Sequence, residues 1–215
     1  MSGEEAIRLG EGVAAGLSRG MGSGEPFQKA LLVVDLDFTL VNSDTTLDFL
    51  KLAAPIRYKL LTRVLRPFSY ASRFFVRDVY KIVLVLLCIQ GRDKNFLDQL
   101  STLYVSRIGS DKHPGYNEQI LDCLKHSTQT AILLTGSLDF IAEKFRVLGF
   151  SRTVGSKSYY KNGRFHNFVD LHGKKHEFLQ RFSPNYDCIT VMEDSPEEEY
   201  GQITNLKVVT VRKWL

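Results

Sequence analysis

Ala30-Leu-Leu-Val-Val-Asp35-Leu-Asp37-Phe-Thr39-Leu40 is the stretch on which the reading of this 215-residue chain turns. Leu31 to Val34 is a short apolar run of branched residues, which predicts a central parallel strand buried on both faces. Asp35 stands where that strand ends, with Asp37 one residue beyond its neighbour. In open α/β sheets the carboxyl ends of the strands form the rim on which ligands bind, so two acids here are placed for chemistry. They can hold a metal between them, or one can attack while the other moves a proton. A strand stopped by an acidic turn accounts for the same residues without any function, so the rest of the chain has to decide.

Outward from that strand the pattern turns helical. Asp44-Thr45-Thr46 predicts a helix start, and Leu47, Phe49, Leu50 and Leu52 begin an apolar helical pattern that Pro55 ends. Ile56, Leu60, Leu61, Val64 and Leu65 then recur at helical spacing up to Pro67, with Arg57, Lys59, Arg63 and Arg66 among them: a basic amphipathic helix. Residues 68–89 form a further helical candidate closed by Gly91, and residues 96–105 and 117–125 two more. Helix after helix inserted just past the first strand describes a cap over the strand ends. The expected organisation is a flexible leader over 1–26, a core over 27–44 and 127–215, and a helical cap over 45–126.

After the insertion strand and helix alternate again. Ala131 to Leu134 is an apolar strand ending in Thr135-Gly136-Ser137, followed by a predicted helix over 139–148. Lys161-Asn162-Gly163 marks a hairpin between strands at 154–160 and 164–168. Gly173 precedes a helix over 174–182, Cys188 to Met192 is a strand ending in Glu193-Asp194-Ser195, and Leu206 to Val211 is another. The fold class is therefore α/β, a Rossmann-like parallel sheet with an inserted all-helical cap.

Composition narrows the setting. A net charge of +4 is unevenly spread: from Lys51 to Lys81 the cations Lys51, Arg57, Lys59, Arg63, Arg66, Arg73, Arg77 and Lys81 face the single acid Asp78. Cys88, Cys123 and Cys188 are too scattered for a disulfide framework or a zinc site, which points to a reducing cytoplasm. His172 and His176 straddle Gly173, and with His113, His126 and His166 they give no spacing that converges on the carboxylates. No apolar run reaches the roughly 18 to 20 residues of a membrane span, and the first 26 residues lack the core of a secretion signal. Trp214 reads as packing, and no nucleic-acid recognition motif accompanies the basic segment.

Three strands thus end in polar groups of different kinds: Asp35 and Asp37, Thr135 and Ser137, Glu193 and Asp194. Phosphoryl transfer needs a nucleophile, a divalent cation to offset charge, donors for the phosphate oxygens and an acid for the leaving oxygen. The order Asp35-Leu-Asp37-Phe-Thr39, Thr135-Gly136-Ser137, Lys175, Asp194 resembles the haloacid dehalogenase superfamily, and within it the phosphoserine-phosphatase-like branch with a helical cap after the first strand. The resemblance implies that Asp35 attacks phosphorus and becomes an aspartyl phosphate, while Asp37 protonates the leaving alkoxide and then activates water. It implies a Mg2+ held by Asp35, the backbone carbonyl of Asp37, and Asp194. It also implies phosphate binding by Thr135, Gly136 and Ser137, with the following helix offering its N-terminus. The third-motif lysine would be Lys175 and not Lys174, because Leu179 then falls on the expected apolar position. Asp44 falls where phosphoserine phosphatases contact the substrate, though it serves equally as a helix cap. Two departures stand out: Glu193 replaces a common glycine and adds charge near the metal, and Glu198 takes the later acidic position, reaching the metal through water.

The expected activity is Mg2+-dependent hydrolysis of a small phosphorylated metabolite, with phosphoserine hydrolysis or phosphotransfer as alternatives. A different class of reading makes the basic helices a membrane-surface or partner-binding module on a residual core. The substrate itself and the oligomeric state are not legible from this chain.

Overall fold

The computed structural model describes residues 29–71, 77–108, 110 and 115–211. The expected leader, Arg73, His113 and Trp214 lie outside them, as do the side chains of Arg66 and Arg77. Six strands form one sheet in the order β4-β3-β2-β1-β5-β6. They are β1 (Ala30–Val34), β2 (Thr130–Leu138), β3 (Arg152–Lys161), β4 (Arg164–Val169), β5 (Cys188–Glu193) and β6 (Leu206–Thr210). β1 lies parallel between β2 and β5, β3 and β6 extend the parallel sheet, and β4 returns antiparallel on β3. Asn162 and Gly163 close that hairpin with φ of 52° and 74°, the pair of positive angles a primed turn requires.

Between β1 and β2 run α1 (Thr45–Ala53), α2 (Pro55–Ala71), α3 (Arg77–Ile89), α4 (Lys94–Arg107) and α5 (Glu118–His126). Three of the starts have a capping side chain: Asp44 accepts from Leu47 N at α1, Asp93 from Asn95 N and Phe96 N at α4, and Asn117 from Gln119 N and Ile120 N at α5. Two expected boundaries move. Helix α2 does not stop at Pro67 but continues to Ala71, since the φ that proline imposes is itself helical and only one backbone bond is lost. Residues 68–71 accordingly belong to α2, and α3 is described from Arg77 to Ile89.

A third correction bears on the site. The helix expected over 139–148 is a single α turn, α6 (Asp139–Ala142), followed by a 3-10 helix over Glu143–Leu148. The cause is that β2 runs on through Thr135-Gly136-Ser137 to Leu138, which is buried and pairs with Ser156 of β3. That close approach depends on Gly155, where an added Cβ would sit 2.6 Å from Ser137 O and 2.9 Å from Asp139 Cα. Both are backbone atoms and cannot swing aside. Gly155→Ala is therefore expected to cost about 1–3 kcal/mol, and an unchanged urea midpoint would contradict the tight contact.

Alternation along β1 assigns its side chains to two cores. Leu32 and Val34 join Phe49, Leu84, Leu97, Leu133 and Phe145, so the inserted helices share one continuous core with that face of the sheet. Leu31 and Val33 face the other way, onto Ile132, Leu179, Ile189 and Tyr200. Helix α7 (Lys175–Phe182) supplies Leu179 to this second layer.

Candidate active site

At the carboxyl ends of the central strands lies a cavity of about 340 Å³. Asp35, Asp37, Asp44, Lys81, Lys175 and Asp194 line it, with Phe38, Leu47 and Tyr80 among its apolar residues. The parallel order β2-β1-β5 brings the first and last of the three strand-end motifs to this one rim.

Asp35 is buried, and Lys175 Nζ lies 3.0 Å from its Oδ1. The same ammonium meets Glu193 Oε1 at 2.5 Å, and Tyr200 donates its hydroxyl to Glu193 Oε2 at 2.8 Å. Glu193 is thus committed to the lysine and the tyrosine. Burial pushes the Asp35 carboxyl up to about 7; Lys175 opposes this, and the Glu193 and Asp37 carboxylates reinforce it. Burial also works against the Lys175 ammonium, but Asp35 and Glu193 outweigh it and raise its pKa. Lys174, next in the chain, is exposed.

The position of Lys175 is set from outside its helix. Glu197, in the loop after β5, accepts from Lys175 N at 3.2 Å and His176 N at 3.0 Å, satisfying two of the free N–H groups that open α7. Its Oε2 also meets His176 Nδ1 at 2.9 Å. Glu198 is exposed and outside the cavity lining. His176, Glu197 and Glu199 bring ligand-type atoms within 4.8 Å of one another, again outside that lining.

Asp37 is held by a network of hydroxyls. Its Oδ1 accepts from Thr45 N at 2.9 Å and Thr45 Oγ1 at 2.6 Å, and Ser137 Oγ donates at 3.0 and 2.9 Å to its two oxygens. Lys81, reaching in from α3, stands 3.6 Å from Asp37 Oδ2 and 3.4 Å from Asp44 Oδ2. Asp44 caps α1 through its other oxygen and lines the cavity as well.

The middle motif is less open than its sequence suggested. Thr135 and Ser137 are fully buried; Thr135 Oγ1 accepts from Ser137 N at 3.1 Å, and of the three residues only Gly136 reaches the cavity lining. The helix expected behind them opens with the single α turn of α6, and Asp139 Oδ1 takes the Phe140 N–H itself. Thr39, buried, accepts from Asp194 N at 3.0 Å and so ties the loop after β1 to the end of β5. Phe38 holds φ at 57°, a left-handed conformation that a bulky residue adopts at a cost.

Asp35, Asp37 and Asp194 offer oxygen donors around one cavity in which acids outnumber lysines. That donor chemistry, all oxygen and with more carboxylates than ammonium groups, fits a hard divalent cation. Sequence reasoning missed Lys81, Thr45, Glu197 and Tyr200. Thr45 had a legible signal, a hydroxyl beside a capping Asp; Lys81 sits in an apolar helical run that gave none.

Residues 32–184 match the model of a family described as haloacid dehalogenase-like hydrolase. No curated protein matches the chain. Among solved structures, a protein of unknown function from Bordetella pertussis Tohama I superposes with TM-score 0.64 at 15% identity, over 83% of this chain and 89% of its own. A phosphoserine phosphatase from T. onnurineus gives TM-score 0.54 at 17% identity, over 87% of each chain. A phosphoserine phosphatase carrying a phospho-aspartyl intermediate analogue gives 0.53 at 15% identity, over 78% and 79%. At these identities the likeness is one of fold.

Proposed function

Because the chain belongs to the haloacid dehalogenase-like hydrolases, we propose that it is a Mg2+-dependent phosphomonoesterase working through an aspartyl phosphate on Asp35. One observation carries the reading: a buried carboxylate paired at 3.0 Å with a buried lysine, beside a second carboxylate ordered by two hydroxyls, on a single cavity at the strand ends. Asp35 attacks phosphorus as the bond to the ester oxygen breaks, and Asp37 gives its proton to the leaving alkoxide. Asp37, now a carboxylate, takes a proton from water, which attacks the phosphorus and returns Asp35 with release of inorganic phosphate. Thr45 and Ser137 hold Asp37 for both transfers, and Lys175 offsets charge on Asp35 and the phosphoryl group.

Asp35, Asp37 and Asp194 would hold the Mg2+, which polarises the phosphoryl group and offsets its charge when bound. Since the Asp37 carboxylate is engaged by Thr45 and Ser137, its ligand would be the backbone carbonyl. In this reading Gly136 brings backbone to the phosphate, Thr135 and Ser137 shape that turn from behind, and Glu193 sets Lys175 in place without reaching the metal. Glu198 is not assigned a part.

The helical segment 45–126 acts as the cap over a core formed by 27–44 and 127–215, with Tyr80 and Lys81 of α3 closing on the cavity. Three free cysteines accord with a cytoplasmic setting. One observation favours a zwitterionic leaving group such as that of phosphoserine: Asp44 and Lys81 set an anion and a cation side by side on the cavity wall.

The test is release of inorganic phosphate from a panel of phosphomonoesters, phosphoserine among them, with Mg2+ and again with EDTA. Turnover that falls to background in EDTA and returns with added Mg2+ is expected. No release from any ester would overturn the phosphatase reading, and release indifferent to EDTA would remove the metal from it.

A further inference from the structure

Helix α2 turns its apolar residues in two directions. Tyr58, Leu61 and Leu65 pack against the core, while Ile56, Leu60 and Val64 point outward at 84%, 61% and 58% exposure. At about 100° per residue these three span roughly 80° of the helix surface. Arg57 borders that stripe on one side and Lys59 and Arg63 on the other, all three exposed. The remaining exposed large apolar residues, such as Val147 and Val169, stand on other elements, whereas α2 presents a row. From Pro55 to Ala71 the helix contains no acid.

We propose that this outer face of α2 docks on an anionic lipid surface, its apolar stripe entering the interface and its flanking cations meeting the headgroups. Cations on both sides of an apolar stripe, with no acid on the helix, complement a surface that is negative and apolar beneath. The stripe runs along one side of α2, so the contact is lateral. The proposal goes beyond the phosphatase reading and uses none of its residues, so vesicle binding and turnover can fail separately.

The full chain is floated with vesicles of phosphatidylserine in phosphatidylcholine and with vesicles of phosphatidylcholine alone. Binding to the first, weakened by salt, is expected. Replacing Arg57, Lys59 and Arg63 together by Gln should lower the partition by about 10²-fold, at roughly fivefold per charge. Leu60→Ser with Val64→Ser should lower it by about tenfold. Both variants should keep the wild-type melting temperature and hydrolysis of a soluble ester. The proposal is overturned by no binding, by equal binding to both vesicles, or by binding that survives either set of changes. It is also overturned if size-exclusion shows the apolar changes dissolving an oligomer while the wild type ignores vesicles, since the stripe would then face a second copy.

Discussion

Asp35→Asn is expected to abolish phosphate release, by about 10⁴-fold or more as for loss of a covalent nucleophile, without unfolding the protein. The amide has the shape of the carboxylate but cannot attack phosphorus. Stability should hold or rise in the metal-free protein, for a reason that can be worked through in sign. The carboxyl is raised from 3.8 to about 7 by burial and by the neighbouring carboxylates. Folding therefore binds a proton that the unfolded chain releases, and the site loses stability as pH climbs from the lower value through the higher. An uncharged amide removes that loss. Melting at neutral pH in EDTA should show Asp35→Asn at or above the wild type, while phosphate release disappears. Substantial turnover in the folded variant would sink the covalent mechanism. Asp37→Asn makes the complementary case: with an ester of an acidic alcohol, which leaves unprotonated, the first step should survive and phosphate should accumulate on Asp35, visible by mass spectrometry.

What could be seen in the sequence was what repeats or is contiguous. Leu31 to Val34 and the run from Ala131 were legible as strands because parallel strands buried on both faces are apolar throughout. The spacing of Asp35 and Asp37 was legible for a similar reason, being fixed within one strand end. Residues brought in from elsewhere left less trace. Lys81 lies within an apolar helical run, and only the packing of α3 against its neighbouring helices and core turns it toward Asp37 and Asp44. Among Glu197, Glu198 and Glu199, spacing favoured Glu198, but the turn after β5 points Glu197 at the start of α7. The helix expected over 139–148 does open at Asp139, but after one α turn it continues as a 3-10 helix, a difference of winding that the apolar spacing did not reveal.

Glu193 shows the same limit with a larger consequence: it lines the same cavity, and its carboxylate meets both Lys175 and Tyr200. Among the described residues Lys175 is the cation that pairs with both buried carboxylates, and Lys175→Ala should have two separable effects. Breaking a buried ion pair costs about 3–5 kcal/mol, reduced to the extent that one carboxylate takes up a proton. Loss of the fixed positive charge beside the transferring phosphate should cost about 10²-fold or more in kcat. Lys174→Ala, at an exposed position, should change neither by much. The two effects are told apart by adding Glu193→Gln, which removes the surplus carboxylate while an amide can still accept from Tyr200. If Lys175 acts on the phosphate, the double variant recovers thermal stability and stays slow. Were turnover to recover together with stability, Lys175 would be only a counter-ion for Glu193, and the charge that stabilises the phosphoryl group would have to come from another residue on the cavity wall.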